Sequence, residues 1–255
     1  MTNWLGRAWK RFFDLTVAIA ALIVFTPLLG LIAVAIKVSS RGPVLFMQER
    51  IGWQGRKFRI IKFRSMVRNA PYIRNPDGSA FSSDTDLRVT RLGRILRRTS
   101  LDEIPQLWNV VRGEMSLIGP RPELAEGIQS YRPADFRRLN VRPGMTGWAV
   151  VHGRNDVPIS MRRDLDTWYA DHAGFLLDLK ILCKTIATVM VREGINRTGG
   201  RPLPLYERPR GAAPQGARIG AETSARYTDR TGHGRFVPTV ALGVIGRLGF
   251  SLKAR

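Results

Sequence analysis

The sequence predicts an α-rich α+β protein: a re-entrant membrane helix hairpin followed by a compact cytosolic-face domain with interfacial helices and a small β-hairpin. Three observations predict it. An uncharged apolar run of 22 residues, Leu15 to Ile36, has a proline near its middle and basic residues at both ends. Two short segments alternate apolar and polar residues around Gly52-Trp53-Gln54-Gly55. Apolar residues then recur at helical spacing from Phe175 to Arg192.

The apolar run meets the length of roughly 20 residues that a membrane helix needs. It exceeds the apolar stretch of a signal peptide, although Arg7, Lys10 and Arg11 resemble a basic leader. Lys37, Arg41, Arg50, Arg56 and Lys57 follow on the other side, so the basic-residue bias puts both ends on the cytoplasmic face. A straight span cannot do that, and Thr26-Pro27 supplies a break. Proline removes one helical hydrogen bond, and a neighbouring threonine hydroxyl can serve the freed backbone. Two half-helices of about 12 residues would each reach about 18 Å, enough to enter one leaflet and return. A kinked helix that crosses the bilayer is the alternative that charges and one proline leave open. Asp14, at the mouth of the run, is placed to pair with Arg11 or Lys10, or to start the helix.

Val44 to Arg50 and Lys57 to Phe63 read as paired strands, with Phe58 and Ile60 alternating against Lys57 and Arg59. Asn69 to Asp86 is polar and proline-containing, hence a loop. From Phe175 to Arg192, Leu176, Leu179, Leu182, Ile186 and Val189 share one face, with Lys180, Lys184 and Arg192 opposite. That helix suits either the bilayer interface or packing on the core. Three segments result: 1–39, a basic lead and the membrane helix broken at Thr26-Pro27; 40–199, the catalytic domain; and 200–255, a basic tail expected to be disordered. The tail from Arg201 holds 10 Lys or Arg against 3 Asp or Glu.

The net charge of +21 calls for an anionic partner: nucleic acid, lipid headgroups or a phosphorylated substrate. One cysteine, Cys183, excludes an internal disulfide, and the three scattered histidines argue against an imidazole metal cluster. The chemistry concentrates in Arg97 to Leu124, where Asp102 and Glu103 are adjacent acids flanked by Arg94, Arg97, Arg98, Arg112 and Arg121. Guanidinium neighbours are expected to keep both acids ionised. An ionised aspartate can attack phosphorus and form an acyl phosphate, and a second carboxylate can hold Mg²⁺ with substrate phosphates completing its shell. Ser100 to Glu103 is also a capping box by spacing. Pro105 would interrupt such a helix in its second turn, so the helix is expected to start at Pro105 instead, leaving Asp102 and Glu103 on the exposed approach to a helix N-terminus that also attracts phosphate. Gly119-Pro120-Arg121-Pro122 holds an arginine on a stiff loop suited to phosphate. Lys62-Phe63-Arg64, Arg142-Pro143-Gly144 and Gly153-Arg154-Asn155 add cations that together could line an anionic-substrate site.

At these residues the chain resembles the bacterial sugar transferase family, the monotopic polyprenyl-phosphate hexose-1-phosphate transferases. The resemblance runs from about Lys10 to Gly194. It rests on KRFFD (10–14), the mid-membrane proline, KFRSM (62–66), the SLDE block, GPRP, VRPGMTGW (141–148) and LDLKIL (177–182). It implies that Asp102 is the nucleophile that attacks the β-phosphate of a UDP-sugar and releases UMP. Polyprenyl phosphate then takes the phosphosugar, as the first membrane step of exopolysaccharide or other glycan synthesis. It also implies that Glu103 binds Mg²⁺, that Arg97 and Arg121 lie near the phosphates with Lys62 close to the acidic pair, and that Thr26-Pro27 is the re-entrant turn; Arg154, one of the loop cations above, is taken with Lys62 as a further phosphate-binding candidate. The expected partners are the UDP-sugar, polyprenyl phosphate and membrane lipids, with no nucleic acid and a homo-oligomer left open. The location implied is the bacterial inner membrane, with the catalytic domain on the cytoplasmic face. Val150 and His152 depart from the Gln and Asn that family members often carry there. The competing readings are a membrane-tethered nucleic-acid binder and a scaffold without catalysis. No zinc spacing, RNP-like motif or basic recognition helix supports the first.

Overall fold

In the computed structural model residues 4–73, 75, 81, 86–153 and 157–191 are described. The tail from 200 onward and Arg154 lie outside the described residues. Helix α1 runs from Trp4 to Ser39 as 36 residues of continuous helix with Pro27 inside it. The break expected at Thr26-Pro27 thus lies inside one continuous helix, with no separate turn between two half-helices. The Thr26 hydroxyl donates to Leu22 O at 2.7 Å, a back-bond that favours bending. That carbonyl lies one residue before the Ile23 carbonyl that Pro27 leaves free, so the threonine does not replace the lost bond.

Both ends of α1 dock on the same body. Near its start, Lys10 pairs with Asp178, Arg11 donates to Val110 O and Val111 O, and Leu117 N donates to Asp14. Neither Lys10 nor Arg11 takes Asp14, against the sequence expectation; burial gives Asp14 a backbone donor instead. Ala18, four residues on, is fully buried against the main core. Near its end, Ile32 and Ile36 pack with Phe63 and Leu96. Between them Ile23 and Val24 are 69% and 71% exposed, and Leu31, Val34 and Val38 are exposed further along. Water would penalise each such side chain by roughly 1.5–3 kcal/mol relative to an apolar surrounding, so this surface calls for lipid. By length and composition the helix can cross a membrane.

Strands β1 (Leu45–Ile51) and β2 (Lys57–Phe63) form the expected antiparallel hairpin, with Leu45 opposite Phe63 and Ile51 opposite Lys57. Phe58 and Ile60 enter the main core and Phe63 the second one, so β2 joins the two cores that hold the ends of α1. Helix α2 (Arg91–Arg98) follows, capped by Thr90 accepting from Gly93 N. Gly93 touches the backbone of Ser65, where a Cβ would stand 1.9 Å from the carbonyl oxygen; only glycine permits that approach. A 3₁₀ turn at Leu101–Gln106 leads into α3 (Leu107–Arg112). Two three-residue strands, β3 (Ser116–Ile118) and β4 (Gly144–Thr146), pair in parallel.

Helix α4 (Ile159–His172) precedes α5 (Phe175–Val191), which sits at the predicted place with a different buried face. Ile181 is fully buried and Leu177 packs on the core, while Leu176, Leu179 and Ile186 stay exposed. Three residues of the apolar stripe visible in the sequence thus face outward while Leu182 packs on the core, because Asp178 and Ile181 take the inner side. Asp178 is held there by Lys10 and by the Tyr169 hydroxyl, which donates to it at 2.6 Å.

Candidate active site

Three elements converge on Glu103. Lys62 projects from the end of β2, on the side shared by Phe58 and Ile60, and its ammonium donates to Glu103 Oε1 at 2.7 Å. Arg121, on the loop after β3, donates to the same oxygen at 2.6 Å and reaches Oε2 only at 3.5 Å. Glu103 itself stands on the 3₁₀ turn, fixed by its N–H donating to Ser100 O. Ser100 is left-handed at φ 57° and makes no side-chain cap, so the capping box is absent. The expected helix start at Pro105 is also corrected. Pro105 lies inside the 3₁₀ turn and the α-helix begins at Leu107, because the missing proline N–H keeps the preceding turn from becoming α-helical.

The two acids experience opposite electrostatics. Burial alone would raise Glu103, but Arg121 and Lys62 overcome it and hold its carboxyl well below the usual range. Asp102 is 8% exposed and has no hydrogen-bond or ion-pair partner among the described residues. Burial, then the adjacent Glu103 charge, pushes it up to about 6, against the smaller pull of Lys62, Arg97 and Arg121. Guanidinium neighbours thus keep Glu103 ionised, as expected, while burial dominates at Asp102. A basic, unpartnered carboxylate is the better nucleophile of the pair, since its lone pairs are not committed to cations.

Arg97, on α2, donates from Nε to Ser65 Oγ at 2.9 Å, and its charge reaches Asp102. Lys62, Arg97 and Arg121 therefore surround Asp102 and Glu103, three cations to two carboxylates, which leaves positive charge for a phosphorylated ligand. Arg64 does not join them. It is buried and ties down the end of α1 through Arg41 O and Ser40 O, both at 2.8 Å. Arg142 is likewise taken up, donating to Gly113 O and lying over the Trp53 ring. The His152 ring lies against Trp148 with centroids 4.0 Å apart and the planes tilted by 50°, and Trp148 stacks on Trp168.

Asn109 escaped the sequence reading. It is fully buried, accepts from Ile61 N at 3.0 Å and donates to Arg59 O at 2.8 Å, pinning β2 to α3. The signal was a lone amide inside the apolar Leu107-Trp108-Asn109-Val110-Val111, where a polar side chain must find buried partners.

The family model described as bacterial sugar transferase matches residues 5–192. The chain belongs to the bacterial sugar transferase family. Its enzyme class is phosphoglycosyl transfer. It is 41% identical over 189 residues to the uncharacterized sugar transferase EpsL of Bacillus subtilis, covering 74% of this chain and 91% of that one. It is 42% identical to the UDP-N-acetylgalactosamine-undecaprenyl-phosphate N-acetylgalactosaminephosphotransferase of Aeromonas hydrophila, over 72% of this chain and 44% of the relative. It is 44% identical to the undecaprenyl-phosphate glucose phosphotransferase of Komagataeibacter xylinus, over 69% and 35%. The chain thus spans less than half the length of the latter two.

The raised Asp102 carries a pH consequence. The nucleophilic form is the carboxylate, so it is lost as pH falls through about 6. Turnover is expected to decline about tenfold per pH unit below that value. The same shift means that folding disfavours ionised Asp102, at a cost on the order of 3 kcal/mol above pH 6. Asp102→Asn is therefore expected to raise the thermal midpoint at pH 7.5 while removing turnover. A rate that is flat down to pH 5, or a destabilised Asn variant, would contradict this electrostatic assignment.

Proposed function

We propose that this protein transfers a hexose 1-phosphate from a UDP-sugar to polyprenyl phosphate through a covalent aspartyl phosphosugar. The observation that carries the reading is the division of labour between the acids: Glu103 bound by two cations, Asp102 buried and without a hydrogen-bond or ion-pair partner among the described residues. An Asp102 carboxylate oxygen attacks the β-phosphorus; the bond from that phosphorus to the oxygen bridging to the α-phosphorus breaks, and UMP leaves. A phosphate oxygen of the lipid then attacks the same phosphorus, regenerating the Asp102 carboxylate and giving a sugar diphospholipid. Arg97, Arg121 and Lys62 orient the donor's phosphates and offset the charge that gathers on their oxygens.

The donor set also fits Mg²⁺. Among the described residues no group of three or more acidic, His or Cys side chains could hold a metal. Mg²⁺ commonly takes only one or two carboxylates and completes its shell with substrate phosphates. Glu103 Oε2, with only the 3.5 Å contact to Arg121, is the acceptor left for it beside Asp102. Bound there it would supply charge neutralisation at the leaving phosphate.

Monotopic insertion completes the reading. Lys10 and Arg11 at one end of α1 and Ile36 at the other are held by one body, and the segment between Leu22 and Leu28 is too short to traverse a bilayer. Helix α1 then enters and leaves one leaflet on the cytoplasmic side, bending at Thr26-Pro27, with exposed Leu176, Leu179 and Ile186 of α5 at the interface.

With polyprenyl phosphate present, the purified protein is expected to release UMP from one member of a panel of UDP-hexoses and UDP-N-acetylhexosamines. Chelation should stop release, and Asp102→Asn should lower it more than about 10³-fold. Full activity in the Asn variant would remove the nucleophile, and undiminished release under chelation would remove the metal. For topology, single cysteines at positions 6 and 41 in a Cys183→Ser background should both resist a membrane-impermeant thiol reagent added outside spheroplasts. Labelling of either one would show a crossing helix.

A further inference from the structure

The loop that carries Arg121 is held with unusual completeness. Four consecutive carbonyl oxygens each receive a donor: Pro120 O from Gly144 N at 2.9 Å, Arg121 O from Arg138 Nη2 at 2.7 Å, Pro122 O from Arg50 Nη1 at 3.3 Å, and Glu123 O from Ile51 N at 2.9 Å. The donors come from β4, the 3₁₀ segment Pro133–Asn140 and β1. Arg138 stands out among them. Its side chain is 3% exposed, and besides Arg121 O it bonds the carboxylates of Glu123 and Asp166 and the Tyr131 hydroxyl. Arg163 braces Glu123 from the other side at 2.9 Å.

A buried ion cluster is a poor way to gain stability, because apolar packing of the same volume does as well or better. What a guanidinium adds here is a fork that can bridge α4, through Asp166, to one carbonyl of the loop. The side chain at the other end of that residue needs such help. Arg121 is 44% exposed, and an exposed ion pair holds its geometry weakly on its own. We propose that Arg138 is a positioning residue: by fixing the Arg121 carbonyl it keeps the Arg121 guanidinium on Glu103 and within reach of Asp102. The proposal rests on the aspartyl-transfer reading above, and its test separates the two.

Arg138→Lys in the full-length protein retains the charge and loses the fork. UMP release is expected to fall about 10- to 100-fold, the range a small misplacement of a catalytic group produces. In an Arg121→Ala background the same substitution should change the rate less than about twofold, because its target is already gone. In protein ¹⁵N-labelled at arginine, the Arg121 Nε signal, assigned by its loss in Arg121→Lys, should broaden or shift in Arg138→Lys. Asp166→Asn, a milder change to the same cluster, should move each readout in the same direction and serves if Arg138→Lys does not fold. Equal losses in both backgrounds and an unchanged Arg121 signal would overturn the proposal. If wild-type protein releases no UMP while the Arg121 signal still responds, the transfer reading fails and the clamp stands.

Discussion

The site is organised by one carboxylate shared between two cations. Lys62 and Arg121 both donate to Glu103 Oε1, and they come from a strand and a loop far apart in the chain. Without Glu103 the two cations would repel across the site; without them Glu103 would be a buried charge with no counter-ion. Their mutual satisfaction leaves Asp102, one residue earlier, in a buried position with no hydrogen-bond or ion-pair partner of its own among the described residues. Two adjacent acids on one 3₁₀ turn thereby acquire different chemistry from the same cations.

The membrane helix is part of this arrangement rather than a tether. Arg11 satisfies the last carbonyls of α3, the helix that grows out of the catalytic turn, and Asp14 accepts from β3, the strand that leads into the Arg121 loop. The far end of α1 packs on Phe63, next to Lys62, and on Leu96, next to Arg97. A displacement of either end of α1 in the bilayer would be transmitted to groups that frame the two acids. The exposed apolar surface of α1 and the cations around the two acids are thus linked most directly at Phe63 and Leu96, each one residue from a cation of the cluster.

Local pattern made some of this legible and long-range contact made the rest illegible. Alternation of Phe58 and Ile60 with Lys57 and Arg59 is a local signal, and the β1–β2 hairpin appears within a residue of its predicted ends. The length of α5 was readable for the same reason, but its buried face was not. Asp178 looks like a surface residue until Lys10 and Tyr169 are brought to it. Strands β3 and β4 are three residues each, too short to show a period, and their pairing depends on the close approach of Gly119 to Gly144. Asp102 and Glu103 could be singled out by their basic neighbours, yet the ionisation of Asp102 follows from burial, which a charge pattern does not reveal. Arg64 and Arg142 looked like substrate cations because they are arginines at a predicted strand end and on a predicted loop; the fold uses them as backbone ties.

The central claim, that Asp102 and not Glu103 bonds to phosphorus, can be read directly by mass. The protein would be mixed with its UDP-sugar in the absence of lipid acceptor, quenched in acid to preserve an acyl phosphate, digested at low pH and mapped by mass spectrometry. The account predicts a hexose phosphate adduct on Asp102, discharged when polyprenyl phosphate is added before the quench. An adduct on Glu103, or direct transfer to the lipid with no modified peptide at any time, would contradict it.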